Sequence, residues 1–152
     1  MSGIPPGLTL GDPTSTAVVL AGLTTLFCLR VLGQYVVSSR SPAWLPPMSE
    51  WYSGLISYRR LLAIQLTITT LMWAVVVGVG IGLPGPSAPD PTIGTICLAI
   101  AWPYALAMIA RYILRMWRHP DARWTGGTIP IVFHVVLATW LFVLGSYFRG
   151  VG

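Results

Sequence analysis

The chain has 152 residues, 55% of them hydrophobic and 9% charged, and its mean hydropathy is +0.73. A soluble domain carries roughly 25% charged residues, so this chain has too little polar surface to clothe a water-facing globule, and a soluble fold is excluded. The net charge of +5 arises from nine arginines against four acids, with no lysine; because the arginines flank apolar runs, the charge reads as a topology signal and implies no nucleic-acid partner.

Four apolar runs, about 14–36, 61–83, 93–114 and 128–148, each meet the length of roughly 18 residues that marks a span. None alternates as a barrel strand would. The expected fold class is therefore an all-α integral membrane protein, a four-helix transmembrane bundle of antiparallel up-down topology, forming one transmembrane domain over 1–152. Eight of the nine arginines, all but Arg149, flank the first and third connections between runs. The positive-inside rule then places those connections in the cytoplasm and both termini on the non-cytoplasmic side, as in a bacterial cytoplasmic (inner) membrane. Met1 to Pro13 has no basic residue, so the first run is expected to stay as a span and not to act as a cleaved signal.

The first span opens on Asp12-Pro13-Thr14, and the third on the matching Asp90-Pro91-Thr92. Aspartate accepts from the free amides of a first turn, and proline there wastes no donor. Recurrent capping explains the repeat more simply than a duplicated hairpin does. Within the first span lie Cys28, Arg30 and Gln34. Cys28 and Cys97 differ in depth by roughly 15 Å at the helical rise, too far for a disulfide, so both are expected to be free.

The first connection, Trp44 to Arg60, is too apolar for a solvated loop and too broken for a span. Trp44, Trp51, Tyr52 and Tyr58 are expected to hold it against the inner leaflet, where aromatic rings sit at the headgroup level. Pro46-Pro47 forbids a continuous helix. Gln65 and Trp73 follow in the second span. The second connection, rich in proline, suits a stiff turn between antiparallel neighbours. Pro103 lies mid-way along the third span and removes the bond to the Ala99 carbonyl, which predicts a kink. Close helix approach is expected at the small-residue pairs Ala17/Ala21, Gly78/Gly82 and Ala101/Ala105.

By helical rise, Arg30, Gln34, Gln65, Arg111 and His134 all fall within roughly 10 Å of the cytoplasmic face. In one reading the arginines snorkel to headgroups, while His134 and Gln65 hydrogen-bond between helices. In the other, the five line an inner-leaflet pocket for a lipid headgroup, quinone or similar amphiphile, roofed by the Trp44 to Arg60 loop. A bis-histidine haem is disfavoured, because His119, the only other histidine, belongs to an interfacial His-Pro-Asp turn. Trp73, Trp102 and Trp140 lie roughly 20 Å from the inner face, too deep for an interfacial belt, and suit packing or contact with a flat apolar ligand.

Asp12, Glu50, Asp90 and Asp121 are the only acids, and none lies in a span. No carboxylate pair, serine–histidine–acid set or zinc-ligand spacing can be assembled at one depth. The sequence specifies no catalytic residue, metal or cofactor. It points first to a non-catalytic accessory or scaffold subunit of a larger integral-membrane complex, whose partners are the lipid bilayer and other membrane subunits or copies of itself. The alternatives are a small amphiphile-binding electron-transfer protein and a homo-oligomeric channel or carrier.

Overall fold

The structure, a computed structural model, describes residues 12–52, 56–83, 90–118, 120 and 128–150. Among those residues the regular elements are all helices: α1 (Pro13–Arg40), the one-turn α2 (Met48–Trp51), α3 (Tyr58–Gly80), α4 (Pro91–Arg118) and α5 (Thr128–Phe148). The four long helices are all long and apolar enough to cross a membrane. The proline-rich 84–89 connection and the His119 and Asp121–Gly127 segment lie outside the described residues.

Both aspartate starts are capped as the sequence predicts. Asp12 Oδ2 accepts from the Ser15 amide at 2.9 Å, and Asp90 Oδ1 accepts from Thr92 at 2.7 Å and Ile93 at 3.3 Å. The opposite ends run further than the apolar runs do. Four polar-ended residues extend α1 to Arg40, with Ser38 and Ser39 hydroxyls bonded back to the Tyr35 carbonyl. α4 continues past Leu114, so Arg115 and Arg118 are helical and not part of a loop. Pro103 sits inside α4, which continues through it.

α3 stops earlier than its apolar run. Gly82 adopts φ 62°, a left-handed conformation that suits glycine and ends a helix. Its amide bonds to the Val79 carbonyl, and the Leu83 amide reaches back to Gly78. This corrects the expected Gly78/Gly82 seam: Gly82 terminates α3 instead of packing it. The close approach is at Gly80, where an added Cβ would stand 3.4 Å from that of Ala17.

Three series of contacts establish the antiparallel order. α3 meets α1 at Gly80–Ala17, Trp73–Cys28 and Gln65–Gln34. α5 meets α1 at Trp140–Thr24 and Phe133–Arg30. α4 meets α5 at Gly94–Gly145 and Tyr104–His134. In each series one number rises as the other falls. Spatially the helices run α3, α1, α5, α4, and among the described residues α3 and α4 do not touch. The bundle is thus open along one side.

The α1 stripe Ala17, Leu20, Thr24, Phe27, Val31 and Gln34 repeats every three and four residues, the spacing that keeps one helix face against its neighbours. Its apolar members pack with Met72, Val76 and Val79 of α3 and with Trp140, Leu144 and Phe148 of α5. α4 reaches this core through Cys97, and of its own residues only Gly94 and Ala101 are buried. What binds it is backbone proximity. A Cβ at Gly94 would lie 2.8 Å from the Gly145 carbonyl oxygen, so the two glycines let α4 and α5 cross almost backbone to backbone.

Candidate functional site

The polar residues of the arginine-bearing end do not form one ring. Arg30, Gln34 and Gln65 come together, with relative exposures of 6%, 0% and 4%. Gln34 occupies the core stripe of α1, seven residues beyond Phe27, and Gln65 lies seven before Met72 on α3. The register that packs the apolar core therefore carries both glutamines into the α1–α3 contact.

Arg30 Nη1 donates to Gln34 Oε1 at 3.2 Å, and Gln65 Nε2 donates to the same oxygen at 3.0 Å. Arginine offers only donors, which makes the Gln34 atom facing it the amide oxygen; the Gln65 atom opposite must then be the amide nitrogen. Arg30 Nη2 reaches the Trp51 carbonyl at 3.4 Å, and the guanidinium lies 5.8 Å from the centre of the Phe133 ring. These contacts leave Arg30 Nε, Gln34 Nε2 and Gln65 Oε1 buried without a partner. No carboxylate among the described residues pairs with Arg30. A buried charge normally has both a counterion and filled hydrogen bonds. This one has neither in full.

Trp51, expected to hold the first connection at the inner leaflet, reaches the cluster through its carbonyl. It is buried, not spread along the membrane surface. The far edge of its indole closes on α1 at Gly33, where an added Cβ would come within 2.7 Å of the ring, and its Nε1 donates to the Pro46 carbonyl at 3.1 Å. The prolines break the chain and α2 turns it back, so the first connection is fastened over α1 and α5. Gly33, three residues past Arg30, was the available signal: a flat ring can approach a helix only where there is no side chain. Trp44 points away and is exposed, while Tyr52 and Tyr58 stack edge to face at 6.4 Å between centroids.

His134 takes another direction. Its ring lies 5.8 Å from that of Tyr104 on α4, with Arg30 and Arg111 near enough to act on it electrostatically. It makes no hydrogen bond to the glutamines. Arg111 is exposed on α4. The deep tryptophans also separate. Trp140 is buried and donates to Thr24 Oγ1 at 3.1 Å, Trp73 reaches Cys28 Sγ at 3.4 Å, and Trp102 packs edge-on to Phe142 at 5.5 Å. They do not stack with one another.

An apolar groove of about 360 Å³ runs between α1 and α3 at the level of the glutamines, lined by Val31, Leu32, Tyr35, Leu62 and Leu66 among others. Cys28 and Cys97 are both free. No group of three or more histidine, cysteine or acidic side chains is gathered as a metal site among the described residues.

Fold and site together define an integral membrane protein of four antiparallel helices with a buried, incompletely satisfied polar cluster near its arginine-bearing end. No family model, curated protein or solved structure matches the chain.

Proposed function

We propose that the chain is a non-catalytic membrane protein acting as an accessory or scaffold subunit of a larger integral-membrane assembly. The observation that carries this reading is the unclosed side of the bundle: among the described residues α3 packs only on α1, and α4 only on α5. A helix from another subunit, or from a second copy, fits that side and completes the square. The absence of any acid from the spans, where proton or cation coupling normally places one, agrees with it.

The orientation belongs to the same proposal: a bacterial inner membrane, with both termini outside and the arginine-rich connections in the cytoplasm. Reporter fusions at Gly152 test it, since only a periplasmic reporter should be active there. For the assembly, cysteines placed at Val77 on α3 and Ile109 on α4, both exposed, should cross-link to a partner in native membranes, and the gently extracted particle should exceed one chain in mass. A monomeric mass with no cross-link from either position overturns the scaffold reading.

A second reading is favoured by the unfilled valences of Arg30, Gln34 and Gln65. Two donors and one acceptor, beside an apolar groove, suit the polar end of an amphiphile such as a lipid headgroup or a quinone carbonyl. The lipid extract and absorption spectrum of the purified protein test this directly. A stoichiometric amphiphile lost on Gln34→Leu supports it; an extract matching bulk lipid, with no bound chromophore, removes it.

A further inference from the structure

A second positively charged site lies on the far side of α5 from the Arg30 cluster. Arg111, Arg115 and Arg118 stand at helical offsets of four and seven, so their side chains share one face of α4 and climb it over about 10 Å. They line a groove of about 440 Å³, whose other walls include Ala110 and Leu114 of α4 and Ile131 of α5. Arg111 and Arg118 are exposed and Arg115 is half-buried.

We infer that this groove binds the headgroup of an anionic phospholipid from the leaflet at the arginine-bearing end. Charge and shape both select that occupant. Among the described residues the lining holds Arg111, Arg115 and Arg118 and no carboxylate, and the exposed Arg111 and Arg118 can each offer a phosphate two parallel donors in a fixed fork. Basic pockets between membrane helices hold anionic headgroups in this way. The small Ala107 and Ala110 leave room along α4 below the charges, and with Leu114 and Ile131 they give an apolar floor. A free phosphate ion has no use for such a floor; a phospholipid places its glycerol and first methylenes there.

The charges also differ in kind from a topology signal. Arg59 and Arg60 stand at the very start of α3, exposed, where they serve to orient the chain. Arg111 sits two turns inside the end of α4, a depth at which a guanidinium benefits from a specific anionic partner.

The test uses the full chain in neutral detergent micelles, titrated with phosphatidylglycerol, with phosphatidylcholine or with inorganic phosphate, and read by native mass spectrometry and thermal unfolding. The wild type should retain a phosphatidylglycerol adduct and gain melting temperature from it, while phosphatidylcholine and millimolar phosphate do neither. Arg111→Gln/Arg118→Gln should bind phosphatidylglycerol roughly 30-fold more weakly, the loss expected of two surface guanidiniums, and Arg59→Gln/Arg60→Gln should bind as wild type does. If the double variant does not fold, Arg118→Lys keeps the charge but loses the fork and should show a smaller loss in the same titration. Equal losses in the two double variants would reduce the effect to diffuse surface charge and overturn the site. Equal retention of phosphatidylcholine, or full competition by inorganic phosphate, would overturn the phospholipid.

Discussion

Two polar sites stand six residues apart along α1, both buried, and they are built in opposite ways. At Thr24 the donor is used and an acceptor is filled: the hydroxyl donates to the Leu20 carbonyl at 2.7 Å and accepts from Trp140 Nε1 at 3.1 Å, all buried. At Arg30, Gln34 and Gln65 three nitrogen and oxygen atoms are buried without partners around a charge that no carboxylate among the described residues pairs with. Depth in a span does not separate them, since both lie inside it. The difference is whether local geometry closes the hydrogen bonds. Thr24 and Trp140 serve as a cross-brace between α1 and α5. The Arg30 cluster is a brace with valences to spare, and those spare valences make it the functional candidate.

The most direct way to break this contrast is Gln34→Leu. One oxygen receives both Arg30 and Gln65, so the substitution strands two buried donors, one of them charged. The expected cost is about 2–4 kcal/mol, read from reversible unfolding in mixed micelles. A cost below that of losing one neutral bond would show that water already satisfies the cluster.

Next in size is Gly94→Ala. The new methyl would meet the Gly145 carbonyl oxygen at 2.8 Å and the Arg149 amide nitrogen at 2.7 Å, both backbone atoms that no rotamer change can move. The crossing of α4 and α5 must open, at roughly 1–3 kcal/mol. Unchanged stability would mean that the backbone approach at Gly94 and Gly145 is not what holds α4 to α5.

Trp140→Phe should cost less, about 0.6 kcal/mol and at most ~1.7. The ring volume is partly kept, and Thr24 retains its bond to Leu20. This substitution measures the closed site; its ratio to Gln34→Leu measures how much more the open one has at stake.

Much of this was legible in the sequence, and the reason is length and charge. Apolar runs of membrane-crossing length fix four helices, and Asp-Pro-Thr fixes two starts; their spatial order was not written in the runs. Depth counting also brought Arg30, Gln34 and Gln65 to one level. Rotation escaped it, although the stripe was present: Gln34 continues the Leu20–Phe27 spacing and Gln65 the Met72–Val79 spacing, so core register alone places the two amides face to face. His134 reached the right depth but turned toward Tyr104, because Phe133 occupies the position next to Arg30. The Arg111–Arg118 ladder was hidden because the apolar run ends at Leu114 while the helix does not. Charged residues lower hydropathy without lowering helix propensity.

The smallest effect expected is from Trp73→Phe, and it separates depth from packing. Counting residues places Trp73 and Trp140 at one depth, so if depth set their worth, the two substitutions would cost the same. The structure distinguishes them by partner and by burial. Trp140 is 5% exposed and donates to a hydroxyl oxygen, whereas Trp73 is 38% exposed and donates to a thiol sulfur at 3.4 Å. Sulfur is a weak acceptor, and an indole that already faces the lipid loses little packing when it becomes a phenyl ring. Trp73→Phe should therefore shift stability by no more than about 0.5 kcal/mol, with Cys28→Ala giving a comparable change, because the sulfur is the only partner lost. A Trp73→Phe cost equal to that of Trp140→Phe would mean that an indole N–H at this depth matters wherever it points. The contrast between closed and open polar sites would then have to be redrawn in terms of depth alone.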